Sequence, residues 1–199
     1  MKKIYRTKKN IIFALLIFLI LFILFILLHI SNSGMYINKK HGFTVALTNN
    51  WICLTKYQMS RYYQNDIHYN STSSNDFHII FTAFKYKENY AKKNNLPNPN
   101  VVILYSNTLL EPNELVDSTS KELVDTGNFT YDGGTELSPI GSLNWQSRYI
   151  SAEINSLIVF QDYYAVNYND KTYLIIATSF NNENLYEIYD LLTTINFYK

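Results

Sequence analysis

Hydrophobic positions fall into two regimes along this chain. From Ile11 to Ile30 the run IIFALLIFLILFILFILLHI is Leu, Ile or Phe at every position except Ala14 and His29, with no Gly or Pro and no Lys, Arg, Asp or Glu. A helix of that length reaches about 30 Å, the thickness of a bilayer's hydrocarbon core. A helix buried in a soluble core would show some polar stripe, and none is present. The segment is therefore expected to be a transmembrane helix.

Beyond it the pattern changes to shorter periods. Tyr36 to Asn38 and Phe43 to Leu47 read as two short strands around Lys39 to Gly42, with Phe43, Val45 and Leu47 alternating onto one face. Trp51 to Leu54 continues the sheet, the polar run Tyr69 to Asp76 reads as a loop, and FHIIFTAFKY predicts a strand over Phe77 to Tyr86. The stretch KENYAKKNNLPNPN is an exposed connection before a strand at Val101 to Tyr105. Asn113 to Asp125 predicts a helix capped by Asn113, with Leu115, Val116, Leu123 and Val124 on one side and Gly127 as its stop.

After a turn at Asp132 to Gly134, strands are predicted at Leu143 to Glu153, Leu157 to Tyr168 and Thr172 to Phe180, the last two joined across Asn169 to Lys171. Leu174 to Ala177 is apolar at every position, as in a strand covered on both faces. A C-terminal helix follows, with Asn181 or Asn182 and Glu183 at its start. Leu185, Ile188, Leu192 and Ile195 lie on its buried face, with Glu187 and Asp190 on the polar one. The fold class is α+β: one mainly antiparallel sheet with at least two packed helices, behind an N-terminal transmembrane helix.

Charge orients that helix. Lys2, Lys3, Arg6, Lys8 and Lys9 precede it with no acid among them. Basic residues flanking an apolar span are retained on the cytoplasmic side. Residues 1 to 10 are then a cytoplasmic tail, 11 to 30 the span in the lipid bilayer, 31 to 35 a linker and 36 to 199 an extracytoplasmic α+β domain of the cell membrane. Five linker residues reach less than about 18 Å, which keeps any partner near the membrane. The alternative is a secreted protein cleaved near Ser33, where Ser31 and Ser33 have the small-residue spacing that signal peptidase prefers. The apolar run is longer than the 7 to 15 residues usual for a signal peptide.

The tail holds five of the 17 basic residues, leaving 12 against 16 acids and a formal charge of −4 from residue 31 onward. That argues against nucleic acid as a partner.

Chemistry is sparse. There is no HExxH, GxSxG, phosphate-binding glycine loop or cysteine pair, so no catalytic, cofactor or metal residue is assigned. The lone Cys53, between Ile52 and Leu54, reads as a small buried hydrophobe. His68 and His78 would form a metal or hydrolytic site only by converging with carboxylates such as Asp66 or Asp76; His41 lies in the first hairpin. Glu111, Glu114 and Asp117 are the acids a helix's first turns favour. Among 18 tyrosines, Tyr62 and Tyr63, beside Arg61 in a loop, and Tyr163 and Tyr164, pointing to opposite faces of one strand, are the candidate partner contacts.

The opening Gly42-Phe43-Thr44-Val45-Ala46-Leu47 followed by Trp51 resembles the start of PsbP-like domains, small α/β/α sandwiches common among exported bacterial proteins. The ending is similar too: a hairpin, a strand like Tyr173 to Ser179, a helix, then Ile195-Asn196-Phe197. Members often carry a proline shortly before the tryptophan, where Thr48 and Asn49 stand here. The resemblance, over about residues 36 to 198, implies a scaffold without shared catalytic residues that binds or stabilises partners. The expected function is a non-enzymatic, membrane-anchored binding or accessory protein of the bacterial envelope that contacts another envelope protein, an immunity-type role included. The alternative is an envelope hydrolase with an unrecognised active site.

Overall fold

The computed structural model describes residues 34–48, 51–64 (without the side chains of 62–64) and 77–198. The segments expected as cytoplasmic tail (1–10), transmembrane helix (11–30) and loop (69–76), linker residues 31–33 and the candidates Asp66, His68 and Asp76 lie outside the described residues. Among the described residues no helix is long and apolar enough to cross a membrane.

The chain from Met35 onward forms one compact unit. In order its elements are β1 (Gly34–Asn38), β2 (Phe43–Leu47), β3 (Ile52–Cys53), α1 (Lys56–Gln64), β4 (His78–Phe84), α2 (Glu88–Lys93), β5 (Asn100–Ser106) and α3 (Pro112–Val124). There follow β6 (Thr130–Tyr131), β7 (Glu136–Ile140), β8 (Leu143–Ile154), β9 (Leu157–Tyr168), β10 (Lys171–Ser179), α4 (Asn182–Thr193) and β11 (Asn196–Phe197). The main sheet runs β3-β4-β5-β10-β9-β8, with β6 and β7 both on the outer edge of β8, and the pairings are antiparallel. A second sheet has the order β1-β2-β11.

β10 sits centrally and explains the layering. Tyr173, Ile175 and Ala177 face a core shared with Trp145 of β8 and with Phe43, Ile188, Leu191 and Phe197, supplied by the small sheet and α4. Leu174 and Ile176 face the opposite core, which α3 closes with Leu115 and Val116. The unbroken apolar run of β10 follows from this, since period two sends alternate side chains into two dry layers. The two long hairpins close on two-residue loops, Asn155-Ser156 and Asn169-Asp170, whose residues all have positive φ, between 49° and 64°. Such loops match the right-handed twist of the strands they join, and Asn and Asp tolerate that backbone well.

Several expectations need correction. The C-terminal part of the α3 reading holds, but the helix starts one residue earlier than expected and Asn113 is not its cap. Glu111 is the extended cap residue, without a side-chain cap bond, and Pro112 opens the helix. Proline suits that position because its fixed φ is already helical and its missing N–H has no partner there in any case. Gly127 does serve the stop, its N–H donating to the Val124 carbonyl at 2.9 Å.

The segment holding Tyr62 and Tyr63 is helix α1, not a loop. A reciprocal cap starts it: Thr55 Oγ1 accepts from the Gln58 N–H at 3.3 Å, and Gln58 Oε1 accepts from the Thr55 N–H at 2.9 Å. The connection after β4 contains the short α2. Strand β7 was not expected, because Pro139 interrupts its pattern. On an edge strand, proline's missing donor is tolerated.

α4 begins at Asn181, whose side chain accepts from the Asn184 N–H at 2.7 Å. Ile188, Leu191 and Leu192 are buried on the sheet, and Glu187, read as polar-face, makes an ion pair with Lys85 at 2.5 Å. Past the helix, Thr194 Oγ1 donates to the Ala46 carbonyl and accepts from its N–H, tying α4 to β2. The turn from β7 to β8 presses on the same chain end. A Cβ on Gly141 (φ +58°) would lie 1.9 Å from the Ile195 carbonyl oxygen, so the close approach requires glycine.

Candidate functional site

Strand β9 has the sequence LIVFQDYYAVNY, in which Asp162 is the one charged residue. Period two places Asp162 and Tyr164 on the face covered by α4. Asp162 stands opposite Tyr149 on β8 and Ala177 on β10, and Tyr164 stands opposite Ser147 on β8. The carboxyl is 4 % exposed. Tyr164 donates its hydroxyl to Asp162 Oδ2 at 3.3 Å, and the Tyr189 phenol of α4 also acts on the same carboxyl.

Burial pushes the Asp162 carboxyl from its ordinary 3.8 up to about 7. The two phenol hydrogen bonds oppose that shift, and the charge of Asp132 adds to it. Burial also raises the phenols of Tyr149, Tyr164 and Tyr189, which stay protonated as donors. A buried carboxyl near neutrality beside a cleft is the sort of group that binding and proton-exchange sites use.

Beside it lies a cleft of about 150 Å³ between α4 and the β7–β8 edge, bordered by Ser138, Pro139, Tyr149, Tyr164, Tyr189 and Thr193. A relay of hydroxyls runs along its sheet side. Tyr149 meets Ser138 at 2.8 Å, Ser138 meets Ser147 at 2.9 Å, and Ser147 donates to the Glu136 carbonyl at 3.1 Å. Tyr189, 37 % exposed, stands at the mouth, and Tyr186, one turn earlier on α4, is 68 % exposed.

The residues singled out from sequence are placed differently. Tyr163 and Tyr164 do point to opposite faces, but each is only 2 % exposed, because the sheet is covered on both sides. They are core residues, and the expectation that one of them faces outward is corrected. Tyr62 and Tyr63 lie on α1, with side chains outside the described set. His41 is buried against the Tyr105 ring, centroids 4.2 Å apart, and burial, then the charges of Lys171, Lys40 and His78, lowers it to about 4. His78 is exposed and also packs against the Tyr105 ring, at 5.4 Å, in these basic surroundings.

Asp117 pairs with Arg148 at 3.3 Å, while Glu111 and Glu114 are exposed. Cys53 is half-buried, and burial pushes its thiol up to about 11. Among the described residues no group of three His, Cys, Asp or Glu side chains converges on a metal position. The residue that sequence reading missed is Asp162; a lone acid in an otherwise uncharged strand was the available signal.

The architecture defines an α/β/α sandwich on a mainly antiparallel sheet. Among solved structures it is similar to cyanobacterial PsbP (CyanoP) from Synechocystis sp. PCC 6803, at 10 % identity over 83 % of this chain and 93 % of that one, with a TM-score of 0.51. It is also similar to LpqN, described as involved in cell envelope biogenesis of Mycobacterium tuberculosis, at 9 % identity over 84 % of this chain and 86 % of that one, with a TM-score of 0.50. The fold is therefore PsbP-like, as the segments Gly42 to Trp51 and Tyr173 to Phe197 suggested. Identities this low speak to fold alone. No family model matches the sequence, and no curated protein matches it.

Proposed function

We propose that the chain is a membrane-tethered, non-enzymatic binding or accessory protein of the bacterial cell envelope. Residues 1 to 10 lie in the cytoplasm, 11 to 30 cross the bilayer, and 36 to 199 form the outer domain that engages another envelope protein. The apolar run from Ile11 to Ile30 behind five basic residues supports the tether.

The observation that carries the binding reading is the cleft between α4 and β7–β8, with Tyr189 and Tyr186 at and beside its mouth. Exposed tyrosine gives a large, stiff contact area with a polar tip, which suits an interface. The cell-envelope role in the LpqN description is consistent with this reading.

The test is crosslinking of the full chain in its own envelope from a photoreactive residue at position 186. A discrete adduct with one envelope protein is expected, and its absence would end the proposal. In an immunity-type version, expression would also protect cells from a toxin acting at the outer face.

A further inference from the structure

Of the hydroxyls that border the α4/β7–β8 cleft, those of Ser138, Tyr149, Tyr164 and Thr193 have their protons committed to acceptors within the protein. Ser147 donates to the Glu136 carbonyl, so in its contact with Ser138 it can only accept, and Ser138 must donate. Ser138 then has no proton left for Tyr149, so Tyr149 donates to Ser138. Tyr164 donates to Asp162, whose charge also bears on the Tyr189 phenol, and Thr193 donates to the Asp190 carbonyl at 2.7 Å. The lone pairs of these oxygens face the cleft, which makes its polar lining rich in acceptors.

The charges that bear on it have one sign. Glu136 acts on Tyr149 and Tyr189, Asp162 on all three phenols, and Asp132 on Asp162. A cleft of about 150 Å³ has room for a small polar group on a short alkyl stem.

We propose that this cleft receives a primary ammonium group on a short alkyl stem, the chemistry of a lysine side chain of the partner protein. Its N–H bonds go to the phenol oxygens, and its charge is balanced by Asp162 behind them. The tyrosine rings add the attraction of a cation for an aromatic face. The inference rests on the binding reading above and names the chemistry of that same site.

It also couples binding to pH. The groups facing Asp162 are Tyr164 on its own strand, Tyr149 on β8, Tyr189 on α4 and the more distant Asp132. A protonated Asp162 carries no charge to balance the cation, so the cation and the proton exclude each other.

The experiment titrates the full chain, extracted in detergent, with n-butylammonium chloride and follows binding by calorimetry. Saturable millimolar binding is expected, strengthening as pH rises from 6 to 8, with tetramethylammonium, which has no N–H, failing to compete. Y189F keeps the ring and should weaken binding about tenfold by removing one acceptor. Y90F, on α2 and outside the cleft's lining, should leave it unchanged, and D162N should remove the pH dependence.

No saturable binding, competition by tetramethylammonium, or a Y189F response equal to wild type would overturn the proposal. Tighter binding of ethanolamine than of butylammonium would overturn the lysine assignment in favour of an aminolipid head group. The titration needs no partner, so failure of the crosslinking reading and failure of this one are separate results.

Discussion

Replacing Asp162 by Asn tests the energetic core of this account. A carboxyl moved by burial from 3.8 to about 7 is penalised as its anion. At about 1.4 kcal/mol for each tenfold change in ionisation, that penalty is about 4 kcal/mol. Because the folded value is raised, the unfolded chain gives up its proton first. The native state is undisturbed by this group below pH 3.8, loses stability as pH rises from about 4 to 7, and pays the full penalty above that.

An amide of the same shape does not titrate and still accepts from the phenols. Its own unpaired N–H₂ adds an offset that does not vary with pH. His41 runs the other way: held near 4 by burial, it costs stability as pH falls below 6.5. That contribution is common to both proteins and cancels in the difference.

The assay is urea unfolding of the compact Met35–Lys199 unit, wild type against D162N, at pH 4.5, 6 and 8. D162N should gain on wild type by about 3 to 4 kcal/mol between the lowest and highest pH. A difference constant across that range would refute the buried, near-neutral carboxyl and the site built around it.

Three further outcomes probe the fold. G141A should cost about 3 kcal/mol or more, since the new methyl would meet the Ile195 carbonyl; G127A, equally left-handed at φ +80° but with nothing within 4 Å, should cost only about 1 kcal/mol, and similar losses in urea melts would contradict the packing described. L191A, at a fully buried position of α4, should cost about 2 to 5 kcal/mol, whereas N181A should cost about 1 kcal/mol through loss of the cap to Asn184. Cys53 should resist iodoacetamide at pH 8 in the native state and react readily in urea, because burial holds its thiol near 11; fast native labelling would show that the β3 edge is open.

The parts of the fold legible from sequence are those where burial leaves little choice. β10 needed apolar side chains at successive positions because both its faces are dry. α4 displayed its stripe because one face packs on the sheet. The same reasoning applied to Tyr163 and Tyr164 would have placed both in the core, since a strand beside β10 shares its two covers.

α1 escaped because its composition is polar and its tertiary contacts slight, although Thr55 and Gln58 stand at the spacing of a reciprocal cap. β7 escaped because Pro139 reads as a breaker until the strand is known to be an edge. The cleft was not legible at all as a unit. It is assembled from β7, β8, β9 and α4, and each contributes one or two ordinary tyrosines, serines or threonines whose proton directions exist only in the folded arrangement.

The claim on which the functional account stands is that this domain faces outward from a membrane-embedded N-terminus. Protease added to intact cells stripped of their outer wall tests it most directly, using chains tagged at Met1 and at Lys199. The account expects the C-terminal tag to be lost from intact cells while the N-terminal tag stays protected in the membrane fraction. Protection of the C-terminal tag until the cells are lysed would contradict it.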